Sequence, residues 1–260
     1  MGVLRIPFVL GPFVLLTLLL IPVQALAVRL NVRLSHTLPV AFHRLALKVL
    51  GIRVTVIGAP AAARPLLLTP NHASWLDIVI LGSLLPLSFV AKAEVADWPL
   101  VGTLARLQRT VFVDRTRRSK TGEVAGAMAS RLAGGDALVL FAEGTSNTGN
   151  RVLPFRSALF GAVQGAIGAG GEAYVQPMAV LYTRLHGIPL GRGEWTLFSW
   201  TGDQELLPHL LGVVRLAALD VRVVFGEPLP FPPGADRKAV AAEAEARVRA
   251  MIQDTVRQGF

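Results

Sequence analysis

The segment Asn71-His72-Ala73-Ser74-Trp75-Leu76-Asp77 follows an apolar run from Pro65 to Thr69, and it holds two side chains suited to acid–base chemistry. An imidazole titrates near neutrality, so a positioned His72 can take a proton from an alcohol as that alcohol attacks. A carboxylate on its other ring nitrogen, here Asp77, would fix the tautomer and stabilise the imidazolium that forms. The spacing limits how the two can meet. Residues five apart on a straight α-helix are separated by about 140° and do not share a face. His72 must therefore lie outside the helix, with Asp77 inside its first turn. Thr69-Pro70 supplies a break, and Ser74 is the expected N-cap of a helix running to Leu84. A second reading fits the same residues: a histidine capping the helix, and an unrelated aspartate favoured by the helix dipole. Spacing alone leaves both open.

The elements that would position this pair alternate in type. Strands are expected over Arg53–Ile57, Pro65–Thr69, Ser88–Ala91, Thr110–Val113, Ala137–Phe141, Tyr174–Val180, Thr196–Ser199 and Asp220–Phe225. Helices are expected over Ser74–Leu84, Val95–Leu107, Lys120–Ala133, Ser157–Ala169, Asp203–Leu216 and Asp236–Arg257, with Arg184–Glu194 a long surface loop. Strands bounded by Gly or Pro and alternating with longer helices predict one α/β domain, a mixed central sheet flanked by helices. In open α/β sheets ligands collect beyond the carboxyl ends of strands, which is where His72 falls.

Composition narrows the partners. The hydrophobic fraction is 52%, the charged fraction 17% and the formal net charge +9. An apolar, basic chain suits an anionic lipid surface, a phosphorylated substrate or an acidic carrier protein better than nucleic acid. With no cysteine, thiolate catalysis and Cys-ligated zinc are excluded. No His/Asp/Glu spacing demands a metal, and neither metal nor cofactor is expected. From Ile6 to Val28 only Thr17 and Gln24 are polar. Twenty-three helical residues rise about 34 Å, enough to cross a hydrocarbon core of about 30 Å. Residues 1–28 are thus expected to be a membrane anchor, 29–52 a basic interfacial helical segment and 53–260 the catalytic domain. The rival readings of the first segment are a cleaved signal ending at Ala25-Leu26-Ala27 and a buried core helix. Arg29, Arg33, Arg44 and Lys48 follow the segment against Arg5 before it, which places the domain on the cytoplasmic side of the inner membrane.

The first motif, Asn71-His72 with Asp77, resembles that of the glycerolipid acyltransferase family, which includes the 1-acylglycerol-3-phosphate acyltransferases. Further blocks follow in the family's order: Thr110-Val111-Phe112-Val113-Asp114-Arg115, Phe141-Ala142-Glu143-Gly144-Thr145-Ser146 and Val175-Gln176-Pro177-Met178-Ala179-Val180. Between the first two, Lys92, Glu94, Trp98, Pro99 and Gly102 also match, so the resemblance spans about Gly51 to Glu227. It implies that Arg115 binds the acceptor's phosphate and that Pro177 centres a strand near the acyl pocket. Asn71, Ser74 and Lys92 are expected to support the site. Within the third block, Glu143 is expected to accept hydrogen bonds from the acceptor's head, Gly144 to allow positive φ or close approach, and Thr145 to offer a hydroxyl and backbone N–H groups. Read without the family, the same residues make an ordinary strand-end turn.

Two positions depart from the pattern. Ala142 stands where proline is usual. Ser146 stands where arginine is usual, which removes a bidentate donor for phosphate or carboxylate. The stretches Asn150–Phe160 and Tyr182–Gly191 resemble the bacterial branch that acylates lyso-ornithine lipid, whose acceptor has a zwitterionic amino-acid head and no phosphate. The expected activity is O-acyl transfer from acyl-carrier protein or acyl-CoA to a lysolipid hydroxyl, the acceptor being 1-acyl-sn-glycerol-3-phosphate, lyso-ornithine lipid or both. The rivals are a membrane-anchored thioester or lipid hydrolase using the same pair on water, and a non-catalytic lipid-binding protein. His36, His43, His186 and His209 match no motif; His36 and His43 are expected at the surface.

Overall fold

The computed structural model describes residues 2–114, 121–167, 171–191, 193–202 and 204–259. Among the described residues nine strands form one mixed sheet: β1 (Ile52–Ile57), β2 (Leu66–Pro70), β3 (Ser88–Lys92), β4 (Val111–Val113), β5 (Ala137–Val139), β6 (Ala173–Leu185), β7 (Ile188–Pro189), β8 (Leu219–Phe225) and β9 (Leu229–Phe231). The order is β1-β8-β6-β2-β5-β3-β4, with β7 and β9 pairing along β6. β6, β2, β5, β3 and β4 run parallel, whereas β8 is antiparallel to β6. The expected α/β architecture is what the chain adopts.

The sheet divides two apolar layers, and the sequence of β2 explains how. Leu66, Leu67 and Leu68 are fully buried, as a strand covered on both faces requires. Leu66 and Leu68 face a core containing Leu47 and Leu50 of α2 (Leu34–Leu50), Leu76 and Ile80 of α3 (Leu76–Gly82), and Val213 and Val214 of α7 (Leu206–Leu216). Leu67 faces Val124, Met128 and Leu132 of α5 (Thr121–Ala133), Val163 of α6 (Gly161–Gly165), and Ala241 and Ala244 of α8 (Arg237–Gln258). Burying each such leucine contributes about 1.5–3 kcal/mol, so β2 is among the firmest places from which to project a loop.

The long apolar segment is helix α1 (Gly2–Arg29), which turns back into α2 so that Phe13 stacks on Phe42. Its buried residues Thr17, Gln24 and Ala27 form a narrow stripe, and Gln24 Nε2 donates to the carbonyls of Ser35 (2.8 Å) and Leu107 (3.1 Å). Phe8, Leu15, Leu18, Leu19 and Leu26 are more than half exposed. Residues Pro7–Arg29 are long and apolar enough to cross a membrane.

Several elements differ from expectation. Thr196–Ser199 is no strand: Glu194–Leu197 is a 3-10 turn, with Glu194 Oε2 accepting from Gly191 N (2.7 Å). A four-residue segment has too little period to separate the two states. The expected helix Val95–Leu107 is two pieces, a 3-10 turn Ala93–Asp97 and α4 (Val101–Leu107). Pro99 forces Trp98 extended, at φ −71° and ψ 130°. Ser157–Ala169 likewise opens as a 3-10 turn, Ser157–Phe160, before α6. Part of the expected loop Arg184–Glu194 is a hairpin, because His186 (φ 53°) and Gly187 (φ 82°) both take the positive φ that a two-residue turn needs.

Candidate active site

β2 ends at Pro70, and Asn71 takes over where the strand stops. Its Nδ2 donates to the Val180 carbonyl (3.0 Å) and its Oδ1 accepts from Val180 N (2.8 Å), so an amide side chain extends the β2–β6 pairing beyond proline. His72 leaves the sheet from this fixed point, with Pro177 paired to Thr69 on the neighbouring strand.

His72 and Asp77 meet as the spacing requires. His72 lies before α3 and Asp77 in its first turn, and His72 Nδ1 is 2.9 Å from Asp77 Oδ2. The same Oδ2 accepts the backbone N–H groups of Ala73 (2.8 Å) and Ser74 (2.9 Å), and Oδ1 accepts the Tyr182 hydroxyl (2.6 Å). A carboxylate ringed by donors must also accept from His72, which puts the imidazole proton on Nδ1 and leaves the Nε2 lone pair free. Asp77 is sealed, its side chain 1% exposed, whereas that of His72 is 17% exposed. Burial first, and the Asp77 charge second, push the Tyr182 phenol well above its usual range, so it remains a donor. The imidazole also stacks on Phe141, ring centroids 3.9 Å apart.

Ser74 does not cap α3 with its side chain; Trp75 occupies the cap position without a side-chain cap bond, and the Ser74 N–H donates to Asp77 Oδ2 instead. Sequence reasoning missed Tyr182 as a site residue, since it lies 105 residues from Asp77 and no local pattern links them.

The third block is a brace. Glu143 is 2% exposed; Oε1 accepts from His72 N (2.8 Å), while Oε2 accepts from Asn147 Nδ2 (2.5 Å) and Leu153 N (3.0 Å). Asn147 N in turn donates to the His72 carbonyl (3.0 Å). Burial raises the Glu143 pKa, and the N–H groups of Leu153 and His72 oppose that rise. The residue expected to touch the acceptor's head thus gives Oε1 to the loop that carries His72 and Oε2 to Asn147 and Leu153. Gly144 has φ +78°, in the left-handed region, and Thr145 is exposed beside it. Lys92 is exposed at the end of β3. Arg115, expected to bind phosphate, lies outside the described residues.

Three of the remaining histidines have structural partners. His43 is buried, its Nε2 2.8 Å from Gln108 Oε1, and it packs on Gly82 so closely that a Cβ there would clash at 2.5 Å. His36 is bonded to Arg109, which also pairs with Asp136. His209 accepts from Trp75 Nε1 (2.9 Å) and donates to the Ser199 carbonyl (3.0 Å); His186 sits exposed at the hairpin turn.

Comparison with known proteins agrees with this geometry. The Acyltransferase family model matches residues 52–181, from β1 through most of β6. A lyso-ornithine lipid O-acyltransferase of Brucella abortus is 49% identical over 98% of this chain and 96% of its own length. A second protein of that name, from Rhizobium meliloti, is 44% identical over 94% and 84%. Among solved structures, the 1-acyl-sn-glycerophosphate acyltransferase of Thermotoga maritima shares the fold, with a TM-score of 0.65 and 22% identity over 98% of this chain and 97% of that one. The conserved fold, the full-length relatives and a His–Asp pair at the carboxyl end of a buried strand together establish that this chain belongs to the acyltransferase family.

Proposed function

We propose that the enzyme acylates the hydroxyl of a lysolipid, with lyso-ornithine lipid as the favoured acceptor and acyl-carrier protein or acyl-CoA as donor. The observation that carries the chemistry is the Nδ1–Asp77 bond, which leaves His72 Nε2 as the open base. The acceptor reading draws on the two relatives of that name and on Ser146, which leaves the turn less committed to phosphate than arginine would. Glu143, Gly144 and Thr145 then form the turn beside the acceptor's head, with Glu143 bracing it.

In the reaction His72 Nε2 removes the acceptor's hydroxyl proton as its oxygen attacks the thioester carbonyl. Asp77 stabilises the resulting imidazolium, and backbone N–H groups of the turns around His72 receive the oxyanion. The C–S bond breaks as the C–O ester bond is completed, and His72 returns its proton to the departing thiolate. No covalent acyl-enzyme is needed. Helix α1 would hold the enzyme in the inner membrane, with the basic residues after it on the cytoplasmic side.

Single-turnover incubation with labelled acyl donor tests this. With lyso-ornithine lipid present, label should move into ester product; without acceptor, the thioester should persist. Equal release of free fatty acid with or without acceptor would instead mean a hydrolase.

A further inference from the structure

The turn beside His72 carries two features on which the reaction as described does not draw. First, Arg156 is tied to the turn by its backbone N–H, which donates to the Ala142 carbonyl (2.8 Å). Its side chain crosses Gly144 so closely that a Cβ there would lie 2.9 Å from Arg156 Nε and 3.1 Å from Cζ. Arg156 is exposed, and no carboxylate among the described residues pairs with it. Second, Ser146 Oγ donates to the Trp200 carbonyl (2.5 Å), and Trp200 N donates to the Ala73 carbonyl (2.8 Å). The Trp200 backbone is therefore clamped between the turn and the residue next to the catalytic histidine. Its indole meets that of Trp98 edge to face, centroids 5.7 Å apart at 89°, and both rings are partly exposed.

We propose that these features form a two-part site for a zwitterionic acceptor head, in which Arg156 takes the carboxylate and the Trp98–Trp200 pair takes the ammonium. This rests on the acceptor reading above. An N-acylated ornithine head has one carboxylate, one ammonium and no phosphate. A guanidinium fork matches a carboxylate with two parallel N–H donors, and the face of an indole attracts an ammonium. Ser146 fits the same scheme. An arginine there would add a cation between the two parts and repel the ammonium, whereas serine is neutral and anchors Trp200. The Gly144 position leaves room for the Arg156 stem, which any side chain would displace.

The test measures KM with three acceptors: lyso-ornithine lipid, its carboxylate methyl ester and its δ-N-acetyl derivative. Wild type, Arg156→Ala, Arg156→Lys and Trp98→Leu are compared. Arg156→Ala should raise KM for the unmodified acceptor by about 10- to 100-fold, the range of a charge-assisted hydrogen bond, with partial recovery in Arg156→Lys. With the methyl ester the Arg156→Ala effect should vanish, because its partner is already gone. Trp98→Leu should raise KM by about 3- to 30-fold for the unmodified acceptor and leave the N-acetyl derivative insensitive. Equal losses on all three acceptors, or an unchanged KM on the unmodified one, would overturn the site. A wild type that leaves lyso-ornithine lipid unacylated while acylating 1-acyl-sn-glycerol-3-phosphate would overturn the acceptor reading, and this site with it.

Discussion

Asp77 Oδ2 accepts from two backbone N–H groups besides His72, and Oδ1 accepts from Tyr182, so the carboxylate cannot swing away from the imidazole. Of the groups that hold Asp77 against His72, Tyr182 is the side chain, so it can be removed without disturbing the backbone. Tyr182→Phe leaves Oδ1 unsatisfied in a fully buried position, a loss of about 1–3 kcal/mol in stability. Turnover should also fall, because Asp77 gains freedom to rotate off His72; thermal denaturation and kcat measure the two effects separately. The His72–Asp77 pairing was legible in the sequence through the motif's resemblance to the family's; the five-residue spacing only required that it form across a helix start. Tyr182 was not, since a contact across 105 residues leaves no local trace. Glu143 was visible as important only through the resemblance of its block to the family's, and whether it faces ligand or protein depends on Asn147, Leu153 and the His72 backbone folding around it.

The elements that hold the pair are a buried strand and a braced turn. All of β2 is buried, and a leucine run of that kind announces a central parallel strand. Replacing Leu68 by Ala should cost about 2–5 kcal/mol, since the cavity would open inside the first core. In the turn, Glu143 accepts from three donors, so Glu143→Gln places an amide N–H₂ against another N–H whichever way it is oriented. That variant should lose about 1–3 kcal/mol and lower kcat with little change in donor KM, because it loosens the His72 loop rather than the thioester's seat. Unchanged stability and activity would remove the brace from the mechanism. Strands read well where apolar runs were flanked by Gly or Pro. They failed at Thr196–Ser199, where the Glu194 side chain closes a turn, and in the long helices, where Pro99 and a 3-10 opening intervene.

Across the molecule, α1 packs through a thin stripe of Thr17, Gln24 and Ala27 and leaves large apolar side chains uncovered. That distribution fits the proposal that α1 lies in hydrocarbon. Leu15 and Leu19 are about 60% exposed on this helix. Changing both to Glu should release the protein from vesicles in a flotation assay, because each charge at the centre of a spanning helix costs about 2.5–3.5 kcal/mol. Retention equal to wild type would place membrane binding elsewhere in the fold. Composition announced this helix at once, whereas its docking through Gln24 depends on Ser35 and Leu107 arriving beside it. The reaction assigned to this assembly depends on one base. Transfer of a labelled acyl group from thioester donor to lyso-ornithine lipid should fall at least about 100-fold in His72→Ala, within the range that general-base catalysis supplies, while circular dichroism shows an unchanged fold. A folded His72→Ala enzyme that retains activity within about three-fold of wild type would contradict the assignment.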